Sequence, residues 1–343
     1  MLSEFPLSFE TSNAASSLDK NLSASVADST HKTYAYWWNR FQRFCQDIGE
    51  NPAKASEDFL LWFLSLLTDS VQDRSSVRQA RAAIKHFWVI AGRCTSPIGE
   101  VGVSKLVCGI DRPFFKPVKK SGAISEQEFL GFLRHTTGDG DFANTKFTHL
   151  RLAAQVALMF GAMARFKESV ELKVSQLHLP SPSLSLGTPV KVLFKKGKTY
   201  QMGEVRSAVI SGRPCGNLFL VSLLDSYVER LKELPGNDDC WLFPGVRWEG
   251  GKFGTLASLN KPVGYNVVVQ GFKKACEEAG LTRTDGSSLT LHSLRRGAVT
   301  IAANEGVAEH EIMKQMRVKR VSTVHKYTSL NEKSPSREAN SLF

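Results

Sequence analysis

Apolar residues recur at three- and four-residue steps along the first third of the chain, which is the spacing of one face of a helix. The pattern predicts helices over residues 30–49, 56–70 and 73–92, followed by a short helix near 100–110. Gly49 lies where the first helix is predicted to end. The second helix is apolar on most sides, so we expect it at the centre of a helical bundle.

Composition marks the limits of this bundle. The first 28 residues are rich in Ser, Ala and Asn and lack periodic apolar positions, which is typical of a disordered arm. Residues 111–123 contain two prolines, a glycine and four cations, which is the composition of a linker. Ser125 and Glu128 then predict a capping box that opens a new helix. The predicted parts are an arm over 1–28, a helical domain over 29–111, a linker over 112–123 and a second domain over 124–343.

The second domain mixes helical and strand-like patterns. Residues 147–179 predict a long buried helix, a bend near Gly161 and a second helix. Alternating apolar positions in residues 189–211, interrupted by a turn rich in Gly and Lys, predict a β-hairpin. Helical patterns return over 218–234, over 266–280 and from 291 onwards. The fold class is therefore mainly α with one small β-sheet, made of an all-helical N-terminal domain and a mixed α/β second domain.

The charge of the chain favours a polyanionic partner. Its 44 Lys and Arg residues outnumber 33 Asp and Glu residues, which gives a net charge of +11. The third predicted helix carries four cations along one face with no acid between them: Arg74, Arg78, Arg81 and Lys85. Such a face is either solvated or contacts a phosphate backbone, and the absence of interleaved acids favours phosphate.

Other sequence features restrict the class of protein. Six cysteines are scattered without a metal-binding or disulfide spacing, so we expect reduced thiols. No stretch reaches the roughly 18 uninterrupted apolar residues of a membrane span, and the first residues lack the pattern of a secretory leader. We therefore expect a soluble, intracellular protein with no membrane partner.

Three local patterns in the second domain carry chemistry. Arg165 and Glu168 stand in "AMARFKESVELKVSQL", lysines fill the hairpin turn "FKKGKTYQ", and His292 and Arg295 stand in "LHSLRRG". Each has a structural explanation when taken singly: a surface ion pair, charges that guard a strand edge, and a satisfied core histidine. None of the three by itself would indicate a catalytic site.

Taken together and in this order, the patterns resemble the tyrosine recombinase (phage integrase) family. "AMARFKESVELKVSQL" looks like the first arginine box, "FKKGKTYQ" like the hairpin turn, "LHSLRRG" like the H-x-x-R box, and "STVHKYTSL" like the segment of the nucleophile. The resemblance covers nearly the whole chain, because the family also has a helical, core-binding (SAM-like) DNA-binding domain with a basic face. The catalytic residues that it implies are Arg165, Lys198, His292, Arg295 and Tyr327, with Glu168 in support.

The resemblance implies a defined reaction. Tyr327 would attack a DNA phosphodiester, and Arg165 and Arg295 would stabilise the extra charge on the non-bridging oxygens. His292 would donate a hydrogen bond or take the tyrosine proton, and a lysine would protonate the departing 5′ oxygen. A 3′-phosphotyrosyl link conserves the energy of the bond, so neither ATP nor a metal or other cofactor is expected.

The sequence departs from the family at one position and is ambiguous at another. Nine residues before Tyr327 the family usually has His or Trp, but this chain has Val318, next to Arg317. Valine donates no hydrogen bond, so either Arg317 substitutes for it or catalysis is weakened. "GKT" resembles the turn "SKT" of part of the family, which favours Lys198 as the general acid, with Lys196 as the second choice.

The resemblance also implies partners. The protein is expected to bind double-stranded DNA within a clamp of its two domains, as a monomer or dimer in free solution and a homotetramer on synapsed DNA. The Ser- and Ala-rich arm and Val318 look unlike bacterial members, which favours a eukaryotic mobile element and a nuclear protein, with a cytoplasmic protein as the alternative.

Three other functions stay open. A domesticated recombinase that binds DNA without exchanging strands is favoured by Val318, but a pure binder has no need of all five catalytic residues. A type IB topoisomerase uses a similar set of residues and would require neither a specific site nor synapsis. A helical scaffold with a basic surface would leave the ordered set of patterns unexplained.

Overall fold

The structure is a computed structural model in which the chain forms two compact units, Met1–Val118 and Lys119–Phe343. It describes residues 26–71, 73–93, 95–99, 101–110, 121–179, 189–195, 204–210, 218–234, 240–245, 248–249, 252–253, 261–281 and 289–328. Most of the predicted arm and linker, and the residues after 328, lie outside these ranges. So does the turn of the predicted hairpin, which carries Lys196 and Lys198.

The regular elements in the described part of the first unit are all helices. Its helices are α1 (Asp28–Asp47), α2 (Glu57–Val71), α3 (Arg74–Ile90), α4 (Ser96–Gly99) and α5 (Val101–Ile110). Helix α1 packs on α3, where Phe41 and Trp88 are fully buried and their ring centres lie 6.4 Å apart. Asp73 caps α3 by accepting from the backbone N–H groups of Ser75 and Ser76 at 3.2 and 2.9 Å. The four predicted helices are present, and α4 is an additional short turn.

Helix α2 is central only on one side. Leu60 and Leu64 are fully buried, but Trp62 and Leu66 keep 49% and 47% of their surface exposed. The prediction of a central helix is therefore correct for one face and wrong for the other. The near-uniform apolarity of the helix hid this difference, because a hydrophobic pattern shows sides only where polar residues interrupt it.

The second unit contains the remaining helices and all the strands of the described chain. Its helices are α6 (Glu126–Thr137), α7 (Phe147–Gly161), α8 (Phe166–Val170), α9 (Leu218–Lys232), α10 (Tyr265–Glu278), α11 (Leu291–Asn304), α12 (Glu309–Met316) and α13 (Val321–Thr328). Its strands are β1 (Leu177–His178), β2 (Val190–Phe194), β3 (Arg206–Ile210), β4 (Trp248–Glu249) and β5 (Lys252–Phe253). Within the described ranges, no helix combines the length and apolarity needed to cross a membrane. The mainly α fold with a small sheet is confirmed.

The described part of the second unit contains more strands than the sequence predicts. Strands β2 and β3 form the predicted antiparallel pair, with Val192 opposite Ala208. Strand β1 adds to the other edge of β2, and β4 pairs with β5 in a separate two-stranded sheet. These three extra strands have two residues each, which is too short for an alternating pattern to be visible in the sequence.

Helix α7 forms the centre of the second unit, and α6, α9 and α11 pack around it. Of the eleven residues from Leu150 to Phe160, all except Leu152 are buried, so the helix is enclosed on nearly all sides. It ends at Gly161, where the sequence predicts a bend. The predicted second helix is only the short α8, followed by a turn of 3-10 helix over Val174–Gln176 and by β1. Pairing with β2 draws the chain after residue 176 into the sheet, which local helical preference does not reveal.

The second unit begins with the predicted capping box. The Ser125 hydroxyl accepts from the backbone N–H of Glu128 at 3.2 Å, and the Glu128 carboxylate accepts from that of Ser125 at 2.7 Å. The preceding residue, Ile124, lies directly on α11, where its N–H donates to the carbonyl of Ser293 at 3.2 Å. A Cβ added to Gly297 would lie 2.2 Å from the Ile124 carbonyl oxygen. Gly297 therefore lets this segment approach α11 closely.

Replacing Gly297 with alanine should destabilise the second unit. We expect Gly297→Ala to lower the free energy of unfolding by about 1–3 kcal/mol, because an added methyl group overpacks a closed contact with backbone. Gly131→Ala in α6 is the matched control, since its Cβ would lie 3.8 Å from Leu281, an ordinary contact. Alanine favours helix over glycine by about 1 kcal/mol, so the control should be neutral or stabilising. Urea denaturation that shows equal stabilities for the two variants would contradict the close approach.

Candidate active site

Arg165 and Glu168 are joined at the turn after α7. The backbone N–H of Arg165, at the start of α8, donates to Oε2 of Glu168 at 2.8 Å, and Nη1 of its guanidinium donates to Oε1 at 2.8 Å. The side chain of Arg165 is 24% exposed and that of Glu168 only 2%. The ion pair is therefore not on a helix surface, because its carboxylate lies in the core.

Two further guanidinium groups approach the same carboxylate. Nη2 of Arg317 donates to Oε2 of Glu168 at 3.0 Å, and Nη1 of Arg295 lies 3.6 Å from the same oxygen. Burial by itself would raise the pKa of Glu168, but the charges of Arg317 and Arg295, together with the N–H and charge of Arg165, lower that pKa below its ordinary value. Glu168 is therefore ionised at neutral pH and neutralises part of a cluster of three cations.

Arg295 lies fully buried in the first turns of α11. Its Nη1 donates to the carbonyl of Met163 at 2.5 Å and its Nη2 to the carbonyl of Met316 at 2.8 Å. Burial, followed by the nearby charge of Arg165, lowers the pKa of Arg295 to about 10. The guanidinium therefore stays protonated at neutral pH and is held by two carbonyl groups from different parts of the chain.

His292 and Tyr327 meet at the edge of this cluster. The Tyr327 hydroxyl lies 3.3 Å from Nε2 of His292. The N–H of His292 donates to the Thr290 hydroxyl at 3.2 Å, which fixes the first turn of α11. His292 is exposed at the surface, but partial desolvation, followed by the charges of Arg295, Arg296 and Arg165, lowers its pKa below the ordinary value of 6.5. The imidazole is therefore neutral at pH 7, and one ring nitrogen is able to accept a proton.

Arg296, the second arginine of "LHSLRRG", has a structural position. Its Nη1 donates to the carbonyl of Ser121 at 2.8 Å and its Nη2 to the carbonyl of Lys326 at 3.1 Å. Its guanidinium carbon lies 5.9 Å from the centre of the Tyr327 ring, and that of Arg295 lies 5.7 Å away. Arg296 thereby connects α11 to the start of the second unit and to the helix that carries Tyr327.

Comparison with known proteins identifies the family. The sequence model of the Phage integrase family matches residues 140–334, which is more than half of the chain. The chain belongs to the phage integrase family. A curated relative, the integrase/recombinase XerD homolog of Selenomonas ruminantium, is 24% identical over 313 residues, which cover 90% of this chain and 83% of the relative.

Solved structures of several recombinases share the fold of this integrase-family protein. XerH site-specific recombinase in a post-cleavage complex with palindromic difH substrate aligns with a TM-score of 0.58 at 16% identity, over 96% of this chain and 84% of the other. The Tn1549 transposon integrase with circular intermediate DNA gives 0.57 at 12% identity, over 94% and 99% of the two chains. A lambda integrase dimer bound to a COC′ core site gives 0.55 at 14% identity, over 95% and 98%. At these identities the likeness establishes the fold.

At the position where the family usually has His or Trp, this integrase-family protein has a buried apolar side chain. Val318 is 7% exposed, and its backbone N–H donates to the carbonyl of Met313 at 3.0 Å. The preceding residue, Arg317, ends α12 with a φ of +57°, in the left-handed region that favours glycine. The two side chains have different roles: Val318 packs in the apolar core, and Arg317 places a positive charge there.

The structure brings together one part of the predicted set of site residues. The carboxylate of Glu168 is surrounded by Arg165, Arg295 and Arg317. At the edge of this cluster, His292 and Tyr327 contact each other. Lys196 and Lys198 lie outside the described residues. Among the residues that the structure describes, no group of three or more His, Cys, Asp or Glu side chains could hold a metal ion.

The predicted DNA-binding cations belong to the first unit and differ from one another. Arg78 and Lys85 are exposed on α3, and Arg74 is partly buried. Arg81 is also partly buried, and its Nε and Nη2 donate to the carbonyl of Ile98 at 3.2 and 2.7 Å. Its Nη2 donates further to the Ser104 hydroxyl at 3.2 Å. Arg81 thus connects α3 to α4 and α5 within the fold, which the spacing of charges in the sequence did not indicate.

Sequence reasoning missed several polar residues that join α7 and α12 to neighbouring segments of the second unit. Arg151 donates to the carbonyl of Pro244 at 2.7 Å, and the amide of Gln155 donates to the Ser169 hydroxyl at 3.1 Å, so α7 holds both its neighbours by buried polar contacts. Gln315 donates to the carbonyls of Gly161 and Val209 at 2.9 and 2.8 Å. For Arg151 and Gln155 the visible signal was a polar residue within an apolar run, whereas Gln315 stands in a polar segment and gave no such signal.

Proposed function

We propose that this protein is a site-specific DNA recombinase or integrase that cleaves and rejoins DNA through a 3′-phosphotyrosyl intermediate on Tyr327. One observation carries the proposal: the Tyr327 hydroxyl lies 3.3 Å from a neutral imidazole, beside arginines that share one buried carboxylate. A nucleophile, a proton acceptor and fixed cations are the groups that phosphoryl transfer to a tyrosine requires. Relatives with the same fold are named as recombinases and integrases bound to DNA.

The arginines would stabilise the transition state. Attack on a phosphodiester places extra negative charge on the non-bridging oxygens, and guanidinium groups bind two oxygens at once. Arg165 is partly exposed and is ready for such a contact, whereas the Arg295 side chain is 1% exposed. We therefore expect DNA binding to uncover the Arg295 guanidinium. This charge neutralisation would take the place of a metal ion.

The proton of the nucleophile would pass to His292. The lowered pKa of His292 keeps its imidazole able to accept the Tyr327 proton at neutral pH. The new bond joins the tyrosine oxygen to phosphorus, and the bond to the 5′ oxygen breaks. Rejoining reverses these steps, because a free 5′ hydroxyl attacks the phosphotyrosyl link and the tyrosine leaves.

A DNA-binding protein that has lost strand exchange is the second candidate. It is favoured by Val318, which donates no hydrogen bond where the family usually has a donor. Topoisomerase-like relaxation, the third candidate, would require no specific site. Formation of a covalent adduct separates the first candidate from the second, and dependence on a specific sequence separates it from the third.

Removing the hydroxyl of Tyr327 tests the proposal. Tyr327→Phe should bind DNA as tightly as the wild type, because phosphate contacts supply most of the affinity, and it should form no covalent adduct. The measurement is denaturing electrophoresis of labelled duplex fragments after incubation with each protein, followed by sequencing of the trapped DNA. Tyr265→Phe is the control, since Tyr265 is exposed on α10. An adduct that persists in Tyr327→Phe would place the nucleophile elsewhere.

The leaving group tests the proposed general acid, Lys198. An alkoxide departs poorly without a proton, whereas a thiolate with a pKa of about 8.5 departs unaided. On DNA whose bridging 5′ oxygen is replaced by sulfur, Lys198→Ala should recover most of the cleavage that it loses on normal DNA, and Arg165→Ala should not. Lys196→Ala is the matched control within the same turn. Recovery by Lys196→Ala instead would transfer the role to Lys196, and recovery by neither would exclude the turn from proton transfer.

The exposed cations of α3 provide the proposed DNA contact of the first unit. Arg78→Glu combined with Lys85→Glu should weaken binding to all duplexes about equally and flatten the salt dependence, because phosphate contacts carry little sequence information. Lys54→Glu with Lys105→Glu changes the net charge equally at other exposed positions of the unit. Affinity titrations at several salt concentrations compare the two. Equal losses in both double variants would mean that net charge, and not this face, determines binding.

A further inference from the structure

Arg317 is a fully buried cation whose side chain makes contacts in several directions. It is 1% exposed. Its Nη1 donates to the carbonyls of Ala162 and Gln315 at 2.9 and 2.6 Å. Its Nη2 donates to Glu168 at 3.0 Å and lies 3.4 Å from the carbonyl of Met163. A charge with this degree of burial is tolerated only when it is paired and hydrogen-bonded.

These contacts connect the parts of the site to one another. Ala162 and Met163 form the turn that leads to Arg165, and the carbonyl of Met163 also accepts from Arg295. The Arg317 guanidinium carbon lies 4.0 Å from the centre of the Phe194 ring, and Phe194 ends β2. One side chain therefore contacts the turn of the first arginine and the strand that runs toward the lysine turn.

The charge of Arg317 also helps to keep the carboxylate of Glu168 ionised. Glu168 accepts from Arg165 through both oxygens, and Oε2 accepts further from Arg317. The distance from Oε2 to Nη1 of Arg295 is longer, at 3.6 Å. Without Arg317, Oε2 of this buried carboxylate would lose one of its hydrogen-bond donors and keep the backbone N–H of Arg165. Glu168 would then compete for Arg295, whose guanidinium the reaction needs for the phosphate.

We propose that Arg317 is a positioning residue, which acts through Glu168 to hold Arg165 and Arg295 in the geometry that binds the scissile phosphate. This inference rests on the proposed function. The contacts of the Arg317 side chain named above are all with groups of the protein, so Arg317 acts on the positions of Arg165 and Arg295 and does not replace the hydrogen-bond donor that Val318 lacks. The left-handed backbone at Arg317 directs the side chain inward, at the cost of a conformation that a glycine would adopt more easily.

Single-turnover cleavage at saturating DNA tests the role of Arg317. Arg317→Met, which keeps the length but removes the charge, should bind DNA within about twofold of the wild type and cleave about 10- to 100-fold more slowly, the loss expected when reacting groups are misplaced by about 1 Å. Arg317→Lys keeps the charge and should lose less. Lys319→Met is the matched control, because Lys319 flanks Val318 on the other side and is exposed. It should cleave within about threefold of the wild type.

A double-mutant cycle with Glu168→Gln shows whether Arg317 acts through Glu168. If it does, Arg317→Met should slow cleavage much less in the Glu168→Gln background than in the wild type, because the shared interaction is already lost. Additive losses would overturn the proposal, as would wild-type cleavage rates for both Arg317→Met and Arg317→Lys. If Arg317→Met does not fold, judged by its melting curve, the cycle is measured with Arg317→Lys.

The same assay separates this inference from the proposed function. A wild-type protein that forms no adduct on any duplex fragment would overturn the proposed function and the role of Arg317 with it. A wild-type protein that forms the adduct, together with Arg317 variants that cleave as fast, would overturn the role of Arg317 only. Slow cleavage by Arg317→Met accompanied by an equal loss of DNA affinity would assign Arg317 to DNA binding and also overturn it.

Discussion

The second unit depends on one buried carboxylate that remains ionised. Glu168 lies in the core with 2% of its side chain exposed, which is an unfavourable place for a negative charge unless cations surround it. Three arginines meet that requirement, from the turn before α8, from α11 and from the end of α12. In return, the carboxylate offsets the repulsion among guanidinium groups that would otherwise be buried together. Neither sign of charge could occupy this region without the other.

The same constraint explains the composition of α11. This mostly apolar helix carries Arg295 and Arg296 because each guanidinium has its own acceptors, and its neutral His292 lies beside Tyr327. Arg295 is held by the carbonyls of Met163 and Met316, and Arg296 by those of Ser121 and Lys326. Gly297 allows the backbone at Ile124 to lie against the helix. The segment therefore combines packing on one side with a cationic edge near Tyr327.

The cations discussed above differ in exposure between the two units. In the first unit, α3 carries several cations, and one of them, Arg81, joins α3 to α4 and α5. In the second unit, three arginines pair with Glu168, and two of them, Arg295 and Arg317, are buried, so these contacts hold them in place without a ligand. Fixed charges stabilise a developing charge without reorganisation at the moment of reaction. Surface charges instead attract a polyanion over a longer range, and salt screens them.

The sequence by itself determined most helices of both units, the antiparallel pair β2–β3, the capping box at Ser125 and a candidate set that includes His292 and Tyr327. These features follow from local periodicity and from short motifs in a fixed order, both of which are read along the chain. It did not determine the short strands, the exposed face of α2, the use of Arg81 or the burial of Arg317. Arg317 and Glu168 are 149 residues apart in the chain, so no local pattern connects them. Only the tertiary structure, which brings Glu168 and Arg317 together in the apolar core, decided which of the many cations of this chain contact the buried carboxylate.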